Sequence, residues 1–206
     1  MNPFAYDWTR GTVSGFLHLV YRLRVTGREK LPQSGSVILA ANHVSYFDPP
    51  VVAVASPRRL TFLAKKELFA YPPFGRYLRA VGAYPLDRSQ GDTAAVRYAV
   101  TKLREGNALL IFPEGSRNID GKAEAKNGVA LLARLSGAPI VPVGIVGTEA
   151  TRRLTQIHIA FGDPIAYDEE VHKGHAGLEL LRDTVMQAIT DLKTVARERS
   201  AKVHAD

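Results

Sequence analysis

Short apolar runs that break off sharply into polar turns restrict this chain more than any other feature. Ser36-Val37-Ile38-Leu39-Ala40-Ala41, Ala108-Leu109-Leu110-Ile111-Phe112 and Pro139-Ile140-Val141-Pro142-Val143-Gly144-Ile145 are too brief for helices and lack the alternation of a strand with one wet face. Such runs are strands buried on both sides, as in parallel sheets. Arg59-Leu60-Thr61-Phe62-Leu63-Ala64 reads as a further strand and Arg24-Val25-Thr26-Gly27 as a short one. Between them lie helical patterns. The clearest runs from Asp92 to Arg104, where Ala95, Val96, Ala99, Val100 and Leu103 share a face and Gly106-Asn107 ends the run. Others start at Pro49 and Tyr71, run from Val129 to Leu135, and cover Gly177 to Glu198. Alternating strands and helices predict an α/β fold: a single three-layer domain with a largely parallel central sheet and helices on both faces. The 206 residues, 46% of them hydrophobic, suit one domain with a substantial core. We expect an N-terminal amphipathic helix over residues 1–24 and the α/β domain over 25–206. Thr155 to Phe161 alternates like an edge strand, and Pro85 makes its own short strand peripheral, because it cannot donate to a ladder.

Open α/β sheets bind ligands at the carboxyl ends of their strands. The first buried run delivers Asn42-His43-Val44-Ser45-Tyr46-Phe47-Asp48-Pro49 to that end. Asp48, ahead of Pro49-Pro50 and Val51-Val52-Ala53-Val54, reads as a helix N-cap. The short loop between His43 and Asp48 allows the carboxylate to accept an imidazole N–H, fixing the tautomer and leaving the other ring nitrogen as a base. The same spacing also suits a cap beside an unrelated loop histidine. The run at Ala108 ends comparably, in Pro113-Glu114-Gly115-Ser116-Arg117-Asn118.

Together these two segments resemble the glycerophospholipid acyltransferase family, which includes the 1-acyl-sn-glycerol-3-phosphate acyltransferases. The likeness runs from about Val25 to Pro164. Gly82-Ala83-Tyr84-Pro85-Leu86-Asp87-Arg88 resembles the family's second block, Phe112 to Asn118 its third and Ile140-Val141-Pro142-Val143 its fourth. The resemblance implies direct acyl transfer from an acyl thioester, acyl-CoA or acyl carrier protein, to the second hydroxyl of a lysophosphatidic acid or another lysophospholipid or glycolipid. His43, oriented by Asp48, is then the base. Arg88, Arg117, Lys66 and Lys126 are candidates for binding phosphate, Gly115 for close backbone approach, and Glu114 for orienting acceptor hydroxyls or the arginines. Plainer roles stand beside these: a salt bridge from Arg88 to Asp87 or Asp92, a solvated strand end at Lys66, and a glutamate bridging two arginines at Glu114. The chain departs from the family at Pro85, where a large apolar residue is commoner, and at Ala125, where an aromatic precedes the lysine-x-glycine.

Composition narrows the chemistry. Without cysteine there is no thiol nucleophile, and without a Gly-x-Ser-x-Gly elbow an acyl-enzyme is disfavoured, so attack by the acceptor itself is expected. No cofactor or metal is expected; His172 and His175 lack the partners of a metal site. The net charge of +7 suits nucleic acid, phosphorylated substrates and an anionic membrane surface alike; no nucleic-acid-binding pattern is present, and a basic membrane- or nucleic-acid-binding module without catalysis is the alternative of a different class. No apolar run approaches the roughly 20 residues of a spanning helix, and no secretory signal is visible. A peripheral place on the cytoplasmic side of the membrane follows. The N-terminal segment, with Phe4, Trp8, Phe16 and Leu19 among its apolar residues, either lies in a bilayer interface with Trp8 and Tyr6 near the headgroups, packs on the domain, or does both.

Overall fold

In the computed structural model, which describes residues 1–87, 92–118, 122–149 and 156–202, the apolar runs join one sheet. Its strands are β1 (Arg24–Thr26), β2 (Val37–Ala41), β3 (Leu60–Lys65), β4 (Ala83–Leu86), β5 (Ala108–Ile111), β6 (Ile140–Val146) and β7 (His158–Phe161). They lie in the order β1-β7-β6-β2-β5-β3-β4. Every pairing is parallel except that of β6 with β7, so β1 and β7 run against the rest. β2 is central and wholly buried, which is why its sequence does not alternate.

The two faces of β2 separate the layers. Val37, Leu39 and Ala41 pack with Leu17 of α1 (Pro3–Tyr21) and Val51 and Val52 of α2 (Asp48–Ala55). Ile38 and Ala40 pack with α4 (Thr93–Arg104), α5 (Gly128–Ser136) and α6 (Gly174–Lys202). α3 (Pro72–Ala80) leads into the edge strand β4, where Pro85 sits with its missing donor. The helix after β2 therefore covers one face and the helix after β5 the other, although the two strands are adjacent and parallel. Such a divergence opens a crevice between their carboxyl ends.

Two expectations need correction. The segment expected at the edge becomes β7, an interior strand between β1 and β6 with all its residues buried; Thr155 lies outside the described residues. Its alternating polar residue, His158, faces Thr26 rather than water, and β1 takes the edge. The last helix also starts earlier, at Gly174, and continues further, to Lys202. Gly144 of β6 lets it rest directly on the sheet: a Cβ there would stand 2.7 Å from Cβ of Leu192.

α1 both packs and exposes apolar surface. Asn2 caps it, its Oδ1 accepting the N–H groups of Phe4 and Ala5 at 3.1 and 3.2 Å, with Pro3 in the first turn where its missing donor costs least. Tyr6 and Leu17 are buried, and the Tyr6 hydroxyl accepts the Leu60 N–H at 2.9 Å, so Tyr6 faces the core and not, as expected, lipid headgroups. The other side leaves Phe4, Trp8 and Leu19 exposed at 78, 65 and 82%. No helix among the described residues is long and apolar enough to cross a membrane.

Candidate active site

β2 ends at Ala41 and hands its last polar groups to the crevice. Asn42 continues the ladder with its side chain: Nδ2 donates to the Ile145 carbonyl at 3.0 Å and Oδ1 accepts the Ile145 N–H at 2.8 Å. His43 follows, with Nδ1 2.8 Å from Oδ2 of Asp48. A carboxylate only accepts, so Nδ1 is assigned the proton and Nε2 is the nitrogen left for the crevice. The imidazole stacks on Phe112 at 4.1 Å between ring centres.

Asp48 is not the expected cap. It is the first residue of α2, and Phe47 precedes it in helical conformation. Pro49 and Pro50 carry no N–H for a capping oxygen to accept. The carboxylate instead turns back into its own loop, where Oδ2 accepts the Val44 and Ser45 N–H groups at 2.7 and 2.8 Å besides the imidazole. Asp48 has no solvent exposure and His43 very little, so their contact sits in a medium that strengthens it.

The second motif loop arrives because β5 pairs with β2 in register, from Val37 opposite Ala108 to Ala40 opposite Ile111. Glu114 is buried there and both its oxygens are engaged by the protein. Oε2 accepts the backbone N–H of His43 at 2.7 Å, and Oε1 accepts Nδ2 of Asn118 at 3.2 Å. The Asn118 N–H donates to the His43 carbonyl at 2.7 Å. Among the described residues Glu114 thus bridges no pair of arginines, and its oxygens hold the backbone of His43 and the side chain of Asn118. Gly115 turns with φ +69°, where the stem of Lys126 lies across it; a Cβ there would meet Cδ and Cε at 3.4 Å. The Lys126 N–H holds the Pro113 carbonyl at 2.9 Å, and the side chain is otherwise exposed.

Below this rim lies a cavity of about 920 Å³, a size typical of small-ligand sites. His43, Phe112, Ser116 and Arg117 stand at the strand ends; Phe62, Leu110, Val81 and Ala83 continue its wall along the sheet, and Tyr6 and Val13 close it from α1. The lining is overwhelmingly apolar, with cations at the mouth. The Arg117 guanidinium lies 3.7 Å over the Tyr46 ring, with Nη2 donating to the Tyr46 hydroxyl at 2.9 Å. Lys66 is outside this lining: β3 ends at Lys65, which does line the cavity, while Lys66 turns to an ion pair with Asp87. That hydrogen bond to the Asp87 carboxylate, reinforced by its charge, raises the Lys66 ammonium's pKa. Arg88 lies outside the described residues.

The structure thus brings together His43, Asp48, Glu114, Gly115, Arg117 and Lys126 and leaves Lys66 apart. Asn42, Asn118, Lys65, Tyr46 and Phe112 join the site without having been assigned roles from sequence. For the two asparagines a signal existed, since a polar side chain at the end of a buried strand or in a buried loop must find partners.

Known proteins similar to this chain share one family name. The family model described as Acyltransferase matches residues 22–146, which hold both motif loops. A 1-acyl-sn-glycerol-3-phosphate acyltransferase of Streptococcus pneumoniae is 32% identical over 163 residues, covering 76% of this chain and 61% of that protein. The enzyme of the same name from Bacillus subtilis is 25% identical over 193 residues, 91% of this chain and 96% of that one. The chain therefore spans about three fifths of the first relative and nearly all of the second. The crystal structure of the 1-acyl-sn-glycerophosphate (LPA) acyltransferase PlsC from Thermotoga maritima superposes with a TM-score of 0.73 at 28% identity, covering 95% of this chain and 78% of that one.

Proposed function

The chain belongs to the acyltransferase family, and from that premise we propose that it moves a fatty acyl group from an acyl thioester to the sn-2 hydroxyl of 1-acyl-sn-glycerol-3-phosphate, giving phosphatidic acid. The observation that carries this reading is the His43–Asp48 pair, 2.8 Å apart at the mouth of an apolar cavity rimmed by Arg117. Relatives bearing the name of that activity support the choice of acceptor.

Nε2 of His43 takes the proton from the acceptor hydroxyl as its oxygen attacks the thioester carbonyl. Asp48 stabilises the imidazolium so formed. The C–S bond then breaks, the ester C–O bond remains, and the proton passes from His43 to the departing thiolate. The acyl chain occupies the cavity beside β3, and Arg117 with Lys126 meets the phosphate. The thioester is supplied by acyl-CoA or acyl carrier protein. The exposed apolar face of α1 sets the protein on the cytoplasmic membrane surface, where its lipid acceptor is found.

Purified protein supplied with acyl-CoA and a panel of acceptors tests the reading by thiol release. We expect release with lysophosphatidic acid, and a fall on the order of 10²- to 10⁴-fold in His43→Ala, the range for loss of a general base. Near-normal transfer by that variant sinks the mechanism. Equal or faster use of an acceptor without the phosphate replaces the acceptor assignment and leaves the chemistry standing.

A further inference from the structure

We propose that Glu114 and Asn118 are positioning residues that fix the peptide carrying the base. The inference rests on the reading of His43 as base. The peptide groups of His43 are held from both sides by the second motif loop. Its N–H goes to Oε2 of Glu114 and its carbonyl receives the Asn118 N–H, both at 2.7 Å. The two holding residues are tied to each other, Nδ2 of Asn118 donating to Oε1 of Glu114 at 3.2 Å. Asn118 is anchored in turn by Ala123, whose N–H donates to Oδ1 at 3.0 Å. Its Nδ2 also points at the Ala123 carbonyl, 3.5 Å away.

These contacts matter because β2 has already ended: His43 lies beyond Ala41, where no backbone ladder fixes it. Asp48 and Phe112 constrain the ring, and the Glu114–Asn118 bracket constrains the backbone from which the ring hangs. A buried carboxylate receiving an N–H at 2.7 Å is a strong and directional anchor. A base must meet its proton within hydrogen-bond reach, and a misplacement of about 1 Å costs on the order of 10² in rate.

The direction of each hydrogen bond supplies the test. In Glu114→Gln the remaining oxygen can still accept from His43, but the new amide then points its N–H groups at Nδ2 of Asn118. Donor faces donor, and flipping Asn118 only moves the conflict to the Ala123 N–H. In Asn118→Asp alone, two carboxylates face each other. In the double variant the carboxylate introduced by Asn118→Asp accepts from both the new amide and the Ala123 N–H, and every direction is satisfied again.

We expect kcat to fall at least tenfold, toward about 10²-fold, in each single variant, with the KM for lysophosphatidic acid within about twofold of the parent. The double variant should return to within about threefold of the parent kcat, because its hydrogen bonds are restored. Circular dichroism and thermal melts confirm that each is folded, and rates are taken per folded molecule. Three outcomes overturn the proposal: a kcat within about twofold of the parent in Glu114→Gln, a raised acceptor KM with unchanged kcat, or a double variant no faster than the worse single one. An active His43→Ala protein would be the failure of the underlying mechanism, and is read separately.

Discussion

Oδ2 of Asp48 is the meeting point of three donors, with Nδ1 of His43 at 2.8 Å and the N–H groups of Val44 and Ser45 at 2.7 and 2.8 Å. One oxygen therefore shapes the loop and orients the base together. Oδ1 is buried with no hydrogen bond among the described residues. In Asp48→Asn the amide oxygen keeps the three donors, while the amide nitrogen takes the place of Oδ1 without an acceptor. We expect a stability loss of about 1–3 kcal/mol for that buried donor, read by denaturant unfolding. The lost charge no longer supports an imidazolium, and kcat should drop by on the order of 10²-fold. Asp48→Ala strands all three donors and should cost more than Asp48→Asn, at about 1–3 kcal/mol for each donor left unsatisfied. Unchanged turnover in a folded Asp48→Asn protein would count against the pair.

That oxygen also marks how far sequence alone reaches. The pairing of His43 with Asp48 is legible from their spacing, as is the α/β fold from buried runs such as Val37–Ala41. The expected cap fails because the cap rule looks at the residue before the helix and not at whether the next residues own donors; Pro49 and Pro50 do not. Sequence points to Lys66 rather than Lys65 because where β3 gives way to the next turn decides which lysine faces the cavity, and that boundary is set by pairing with β4. The role of Glu114 is hidden for a longer-range reason. Its partner is the backbone of a residue 71 positions away, and backbone donors leave no trace in side-chain patterns. β7 likewise shows its alternation, but alternation does not say whether a polar residue faces water or, like His158, a hydroxyl and a carbonyl.

The seating of α6 on the sheet gives a prediction about stability alone. A Cβ at Gly144 would lie 2.7 Å from Leu192 Cβ and 2.9 Å from the backbone carbon of Leu192 and the nitrogen of Lys193. Backbone atoms of a packed helix cannot move aside as a side-chain tip can. Gly144→Ala should therefore push α6 outward and lower stability by about 1–3 kcal/mol, the range for overpacking. Turnover per folded molecule at low temperature should stay near the parent value. A stability change below about 0.5 kcal/mol would show that the helix yields freely.

The outer face of α1 predicts where the protein sits. Phe4, Trp8 and Leu19 are too exposed for their size to serve the core, and Arg22 and Arg24 follow at the same end of the chain. Burying a large apolar side chain contributes about 1.5–3 kcal/mol. Replacing Phe4, Trp8 and Leu19 together by serine should weaken partition onto vesicles of anionic phospholipid at least tenfold, measured by sedimentation, while the melting temperature changes little. Raising salt should weaken binding of the parent as well. Equal sedimentation of parent and variant would remove α1 from the membrane contact.

His158 gives the pH dependence its sign. The side chain is buried between β1 and α6: a ring nitrogen stands 3.3 Å from the Thr26 hydroxyl, and the Ala196 backbone accepts a hydrogen bond. Burial foremost, then the positive charge of Arg199, and more weakly that of Arg24, hold its pKa below the ordinary 6.5; the Ala196 hydrogen bond acts in the opposite sense. The folded protein thus keeps the imidazole neutral while the unfolded chain takes up a proton below about pH 6.5. Stability tied to this group is complete above that pH and is lost as pH falls below it, by at most about 1.4 kcal/mol per pH unit until the folded form also titrates. His158→Gln removes the proton uptake and leaves other groups as they are, so the stability difference between parent and variant isolates it. That difference should be constant from about pH 8 to 7 and should shift against the parent between about pH 6.5 and 5. A difference that stays flat across the whole range would mean that the buried imidazole titrates alike in the folded and unfolded chain.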